Sequence, residues 1–425
     1  MPDNKHIEKL VSHLFRREAG KMTAILIKLF GVSMISQAED IVQDTFLAAY
    51  KTWPYGNVPD KPEAWLMQVA KNKAIDILRE NAKRASLPYS AFVANKEQVF
   101  YQHIDQAFSD HDTLDAQLKL LFLCCHPELS EKQQIAFTLQ VLCGFSINEI
   151  ASSLLMEKEA VKKTLLRTKQ DIKQKGLFAD TGYLYRSMQR LDRLRQVLYL
   201  MFNEGYKTTE DTELINRDLC FEAIRLGKMV LKLGDNTAKS ETKAMLALMF
   251  FNVARFASRT ELDGSIVSLE EQDRRKWDKN LIIEAYFYLK DSRNTALLSR
   301  YHIEAGIAAV HCSAETYEQT DWKQIVYYYE QLEQIEWSPV VRLNKAIAIY
   351  HFLGAHEALR ELETINNLKL SKHHLFHATK ASFLSKAGQY EEAVYHYKEA
   401  INLAKSELDK QFLINKMEEC TSFAN

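Results

Sequence analysis

The chain has 425 residues, 47% hydrophobic and 26% charged, with a formal net charge of −1. That is the composition of a globular protein long enough for two to four domains, and its balance excludes a uniformly basic coat, so any nucleic-acid surface must be local and offset by acid elsewhere. Only 13 Gly and 7 Pro occur, which argues against a turn-rich β fold and predicts an all-α chain of long helices joined by short loops.

Residues 1–84 form the first predicted domain. The opening stretch Met1–His6 carries no signal-peptide apolar run, and Ala24–Ile35, broken by Lys28, is too short to span a bilayer. Six cysteines show no Cys-x-x-Cys spacing. The expectation is a cytoplasmic chain with free thiols, no membrane contact and no metal. Ile7, Leu10, Val11 and Leu14 share one helix face. Ser36-Gln37-Ala38-Glu39 reads as a capping box. The helix it opens puts Ile41, Val42, Phe46, Ala49, Tyr50 and Trp53 inward, and Asp40, Gln43, Asp44 and Lys51 outward. Pro54, Gly56 and Pro59 mark a loop, and Pro62 suits the first turn of the next helix. That helix turns Trp65, Leu66, Val69, Ala70, Ala74, Ile77 and Leu78 inward. It shows Lys71, Asn72, Lys73, Asp76 and Arg79 outward and ends at Lys83 and Arg84. The basic strip is either a solvated face or a nucleic-acid contact. Trp53 and Trp65 are either core or platforms for extruded bases.

Residues 85–112 have weak periodicity and read as a linker. Helical pattern returns at Leu114, inside a second domain over 113–178. Ser130-Glu131-Lys132-Gln133 is a capping box followed by Ile135, Leu139 and Leu142 at helical spacing. Gly144 suits a left-handed helix end. Ser146-Ile147-Asn148-Glu149 is another box, opening a short helix with Ile150, Ala151 and Leu154 inward. A turn follows, then a helix carrying Val161, Leu165, Thr168 and Ile172 inward. Helix, short turn, helix is the helix-turn-helix pattern. The second helix bears Lys158, Lys162, Lys163, Arg167, Lys169, Lys173 and Lys175 against Glu157, Glu159 and Asp171. Such a helix can lie in the major groove, where Lys and Arg meet phosphates and guanine edges. In Cys124-Cys125-His126 the adjacent cysteines diverge on a helix and rarely share one tetrahedral ion, so buried thiols are the reading.

Residues 179–425 are again helical, with repeats over about 300–420. Leu353-Gly354 before Ala358 echoes Ala387-Gly388 before Ala393. The two glycines stand 34 residues apart, the period of a tetratricopeptide repeat. Tyr390, Tyr397 and Ala400 fit that repeat, and a degenerate earlier unit runs from Ile303 to Leu332. Each unit is a helix pair that buries its face by stacking on neighbours. Asp263 to Asp278 interrupts the helices with charge. Three readings stand open: a ligand or metal loop using Asp263, Glu270 and Asp273, an acidic-basic clamp on the rest of the chain, or an interhelix loop. No nucleophile elbow, phosphate-binding Gly loop or His-Glu-x-x-His occurs, so neither an enzyme nor a cofactor is expected.

Ala38-Glu39-Asp40-Ile41-Val42-Gln43-Asp44-Thr45-Phe46, then Pro62-Glu63-Ala64-Trp65-Leu66 and Asn72-Lys73-Ala74-Ile75-Asp76-Ile77-Leu78-Arg79, resembles region 2 of extracytoplasmic-function (ECF) sigma factors. Residues 130–174 resemble their region 4. Leu123-Cys124-Cys125-His126-Pro127 and Asp263 to Asp278 resemble the subgroup with a long tetratricopeptide-like C-terminal extension. The resemblance spans nearly the whole chain and implies an alternative sigma factor with core RNA polymerase and promoter DNA as partners. It implies Glu39, Asp40, Gln43 and Asp44 as contacts to the polymerase β′ clamp helices, with the β flap as a further docking site. It implies Trp53, Lys61, Lys71, Asn72, Asp76, Arg79 and Arg84 at the melted −10 element. Lys158, Lys162, Lys163, Arg167 and Lys169 would read the −35 element. Glu157 stands where the family often has a Ser cap, and Lys158 and Glu159 are unusual, so the family's −35 preference does not transfer.

The extension, in the resemblance, takes the place of a separate anti-sigma protein. Asp263, Gly264, Asp273, Arg274, Trp277 and Asp278 would form a regulatory loop, and the repeats would take an intramolecular or protein partner. The residues also allow a helix-turn-helix regulator with a sensing repeat domain, or an adaptor with basic protein-binding faces. A simple regulator has no need of residues 36–84.

Overall fold

The computed structural model describes residues 4–31, 34–55, 58–84, 104–154, 156–177, 188–206, 217–233, 235–260, 267–293, 298–336, 338–365, 374–404 and 407–424. Among them the chain is helical, without a β-strand. It divides into two compact units. One comprises Met1–Gly205 with Arg217–Ala238, the other Tyr206–Asn216 with Lys239–Asn425.

The first unit opens with α1 (Asn4–Phe30), α2 (Ile35–Thr52) and α3 (Pro62–Arg84). Their inner faces bury Ile7, Leu14, Ile25, Val42, Phe46, Trp53, Leu66 and Ala70. This follows the helical spacing of apolar residues, which lines one stripe of each helix against its neighbours. Two expectations need correcting. α2 begins at Ile35 with Met34 as its N-cap and no side-chain cap bond, so Ser36 sits inside the first turn and builds no capping box. Tyr50 is exposed, its hydroxyl donating to Glu8 Oε1 at 3.0 Å.

Within the stretch read as a linker, residues 85–103 lie outside the described residues. A helical turn at 104–107 buries Ile104 and Ala107. Helix α4 (Asp110–Cys124) starts before Leu114. Then come α5 (Glu131–Val141), α6 (Ile147–Ser153) and α7 (Lys158–Lys175). Ser130 and Gln133 form a reciprocal capping box on α5. Ser146 and Glu149 do the same on α6, with Glu149 Oε2 accepting from the Ser146 backbone N–H at 2.7 Å. Gly144, between them, has φ +65, a conformation that a side chain disfavours.

The first unit also holds α8 (Met188–Tyr206, up to Gly205) and α9 (Arg217–Val230), helices from the stretch expected to be a separate extension. α9 packs on α1. Arg193 on α8 pairs with Glu131 at the start of α5.

The second unit runs from α10 (Asn236–Val253, from Lys239) through α11 (Lys279–Asp291) into helix pairs. These are α12 (Arg300–Ser313) with α13 (Trp322–Ile335), α14 (Pro339–Leu353) with α15 (Ala355–Glu363), and α16 (His374–Lys386) with α17 (Tyr390–Leu403). A final helix, α18 (Glu407–Ala424), packs on α17. From α11 onward each helix packs on the next along the chain. Gly354 and Gly388 take positive φ at corresponding turns inside two pairs. Small Ala346, Ala358, Ala381 and Ala393 are fully buried where the helices meet.

Candidate functional site

On α2, Asp40, Gln43 and Asp44 are exposed, with Leu47 beside them. Their spacing of three and four keeps them on the side opposite Ile41, Val42 and Phe46. Asp44 lies 3.6 Å from Lys73 on α3. Glu39 is set apart. Its carboxylate accepts from Lys169 Nζ at 2.6 Å, and only 18% of its side chain is exposed. The ion pair therefore takes one residue from the expected polymerase set and one from the expected −35 set.

The expected −10 residues gather along α3 and the turn before it. Lys61, Asn72, Asp76 and Arg79 are exposed. Asn72 Oδ1 accepts from Gln68 at 2.9 Å, and Arg79 lies 3.8 Å from Asp76. Lys71 is ion-paired with Asp105. The side chain of Arg84 lies outside the described ones. Trp53 is a correction. It is 2% exposed and packs edge-on against Trp65, ring centroids 5.5 Å apart, so it is core and out of reach of an extruded base. The free aromatic of this loop is Tyr55, two residues on and 93% exposed. Sequence reasoning passed over it. The signal was there: Trp53 continues the buried stripe of α2, and Tyr55 follows Pro54 and breaks that stripe.

On α7, Val161, Leu165, Thr168 and Ile172 are buried. Lys158, Lys162, Lys163 and Arg167 stand on the open side. Lys162 pairs with Glu159 at 2.6 Å, and Arg167 lies 3.9 Å from Asp171. Leu166 is exposed among these cations, an apolar side chain of the kind that meets a thymine methyl in the major groove. Glu157 is the N-cap but makes no side-chain cap bond. Gly176, in the left-handed conformation, ends the helix. The arrangement is a stiff helix presenting a row of cations along one side, able to neutralise successive phosphates.

Behind these helices Cys124, Cys125 and Cys143 are buried thiols. Burial first, then the neighbouring Cys125, pushes the Cys124 thiol far up. Burial and Glu222 do the same to Cys143. Neither is available as a thiolate. Among the described residues no cluster of three or more His, Cys, Asp and Glu is arranged to hold a metal ion.

In the second unit, Asp263 and Gly264 lie outside the described residues. The rest of that segment is fastened down. Arg274 donates to the His311 and Ala314 carbonyls at 2.7 and 2.9 Å and to Thr320 Oγ1 at 3.0 Å, at the C-terminal end of α12. Trp277 is 4% exposed and donates from Nε1 to Ser258 Oγ at 2.8 Å. Asp278 caps α11, accepting from the Asn280 and Leu281 backbone N–H groups. Asp273 is held by Arg275, whose side chain and backbone N–H lower its carboxyl to about 2. These bonds all stay inside the second unit, so the described part of the segment acts there as a cross-brace. Further along, Tyr317, Trp322, His351 and His311 form an aromatic stack, with Trp322 and His351 face to face at 4.2 Å. Burial, then Arg255, Arg274 and His351, lowers the His311 pKa to about 3. Burial and Lys386 lower that of His351 to about 4.

Comparison with known proteins adds three family matches. Residues 14–84 match Sigma-70 region 2, residues 119–172 match Sigma-70 region 4, and residues 190–293 match a family of unknown function, DUF6596. The chain is 34% identical over 367 residues, 86% of each chain, to an uncharacterized protein of Rhizobium meliloti (strain 1021). It is 22% identical over 169 residues to the probable ECF RNA polymerase sigma factor SigI of Mycobacterium tuberculosis, covering 40% of this chain and 56% of that one. No solved structure matches.

Proposed function

The chain belongs to the extracytoplasmic-function sigma factors of the sigma-70 family, in a subgroup with a C-terminal helical extension, and from that premise we propose how its surfaces divide the work. It is an alternative sigma factor, whose sigma domains imply core RNA polymerase and promoter DNA as partners. The observation that carries the finer reading is the pairing, in one chain, of an exposed acidic row on α2 with an exposed basic row on α7. Asp40, Gln43 and Asp44 engage a basic partner face on the polymerase, the β′ clamp helices, where charge complementarity steers docking. The β flap is a second docking point. Lys61, Asn72, Asp76 and Arg79 lie against the melted −10 strand. Tyr55, not Trp53, supplies the ring on which an unstacked base can rest. Lys158, Lys162, Lys163 and Arg167 hold the −35 duplex. The work is done in the cytoplasm, where the transcribed DNA is. Among the described residues no helix is long and apolar enough to cross a membrane.

Reconstituted transcription tests this reading. Wild-type chain with core polymerase should give promoter-specific transcripts, and Asp40→Ala with Asp44→Ala should cut them by about tenfold or more through weakened core binding. Failure of the wild-type chain to bind core polymerase would sink the reading.

The second unit, with its tetratricopeptide-like helix pairs, regulates that activity. The support is its size and the stiffness of its cross-brace. A chain ending after Ala238, which keeps α8 and α9 with the sigma domains, should transcribe at a different level from the full chain. Equal transcription by the two would remove the regulatory role.

A further inference from the structure

Resting on the sigma reading, we propose that regions 2 and 4 of the free protein mask each other, and that α9 is the wedge that holds them closed. Four contacts make the seam. Glu39 on α2 is paired with Lys169 on α7, across 130 residues of sequence, with side chains only 18% and 24% exposed. Arg16 on α1 is paired with Glu149, the residue that also caps α6, at 21% and 12% exposure. Gly20 on α1 lies so close to the end of α5 that a Cβ there would run into the Leu142 carbonyl. Phe15 packs against Gly144, where an added Cβ would come within 3.3 Å of the ring.

The close approach at Gly20 explains a local oddity. Glycine inside a 27-residue helix costs about 1 kcal/mol relative to alanine. Here its lack of a side chain lets α1 of region 2 meet the backbone of region 4.

α9 closes the seam from another side. It packs on α1. Its Glu222 and Arg225 both act electrostatically on Cys143, just beyond the end of α5, and Glu18 of α1 helps to raise the pKa of Arg225. Arg225 and Glu222 are held together by two bonds of 2.8 and 2.6 Å. One helix of the extension thus packs on region 2 and brings charges near region 4 inside a single compact unit.

The consequence is arithmetic. A carboxylate engaged by Lys169 cannot meet a basic face of polymerase, and a lysine engaged by Glu39 cannot neutralise a phosphate. If only a fraction of molecules is open, apparent core affinity falls by that fraction. The ion pairs are partly exposed, so salt weakens them and opening stays reversible.

Core binding, read without DNA by fluorescence titration of the full-length chain against core RNA polymerase, tests this. Arg16→Ala and Lys169→Ala should each tighten binding about two- to fivefold by raising the open fraction. Lys173→Ala, on the exposed side of α7, should leave it unchanged. Arg16→Gln, which keeps the stem packed, serves if Arg16→Ala melts early. Tightening in both seam variants supports masking. Unchanged or weaker binding in both, with melting curves like wild type, overturns masking while the sigma reading stands. A wild-type chain that binds no core polymerase overturns the sigma reading itself.

Discussion

Each of the two units of this chain is held together internally by its own chemistry. Where regions 2 and 4 meet, the contacts are ion pairs with side chains between 12% and 24% exposed, beside two close approaches at Gly20 and Gly144. In the second unit the helices are locked by buried and half-buried rings and two guanidiniums. Trp277 lies under Arg255 and Arg274, and Trp322 stacks on His351. Partly exposed ion pairs contribute little and yield to salt, whereas a buried tryptophan carries a large apolar area in one fixed pose. The difference separates a joint able to open from a scaffold built to keep its shape.

The largest effect expected is therefore in the second unit. Trp277→Ala removes a 4% exposed ring and leaves the Ser258 hydroxyl without its donor. A loss of about 3–5 kcal/mol in urea unfolding is the expected size. Lys169→Ala in the seam should cost less than about 1 kcal/mol. Equal losses from the two would erase the distinction between joint and scaffold.

A second contrast lies within the first unit, between two aromatic residues of one loop. Tyr55→Ala should leave stability unchanged and reduce promoter opening by roughly the 1–3 kcal/mol that a base–aromatic stack is worth. Trp53→Ala should instead destabilise the fold, because Trp53 fills the space against Trp65. Permanganate footprinting beside a thermal melt separates the two. Normal opening by the Tyr55→Ala holoenzyme would remove Tyr55 from the −10 contacts.

How much of this was legible is decided residue by residue. Local patterns read well: the Ser130–Gln133 and Ser146–Glu149 boxes, Gly144, and the buried stripe of α7 are all set by neighbours a few residues away. The box at Ser36 failed because its helix starts two residues earlier, with Met34 and not Ser36 as the N-cap, a boundary that sequence patterns place poorly. At Trp53 two readings competed, core or base contact, and packing against Trp65 decides for core. Glu39 with Lys169 could not be read at all. Each looks like an ordinary exposed charge, and only the tertiary meeting of α2 and α7 pairs them. Gly20 was legible only as an anomaly, a glycine without a turn. The membership of α8 and α9 in the first unit was also hidden, since amphipathic helices do not name the surface they cover.

A modest effect comes from protons, and it too divides the units. His311, His351 and His396 all lie in the second unit with pKa values lowered to about 3, 4 and 4, burial being the first cause in each. The charges that add to it are Arg255, Arg274 and His351 around His311, Lys386 near His351, and Lys380 with His377 near His396. An unfolded histidine titrates near 6.5, so below that pH the unfolded chain binds more protons than the folded one. Their contribution to stability is complete above about pH 6.5, declines as pH falls, and reaches its floor once pH passes the folded values. Allowing for partial solvent exposure, moving from pH 7.5 to pH 5 should cost the second unit about 1–2 kcal/mol. Unfolding midpoints of full-length chain at the two pH values, followed by tryptophan fluorescence with His351→Phe as comparison, measure it. His351→Phe keeps a ring against Trp322 and removes one proton site, so its midpoint should shift less with pH than wild type. An identical shift in both would mean that the stacked imidazole is not where the acid sensitivity resides.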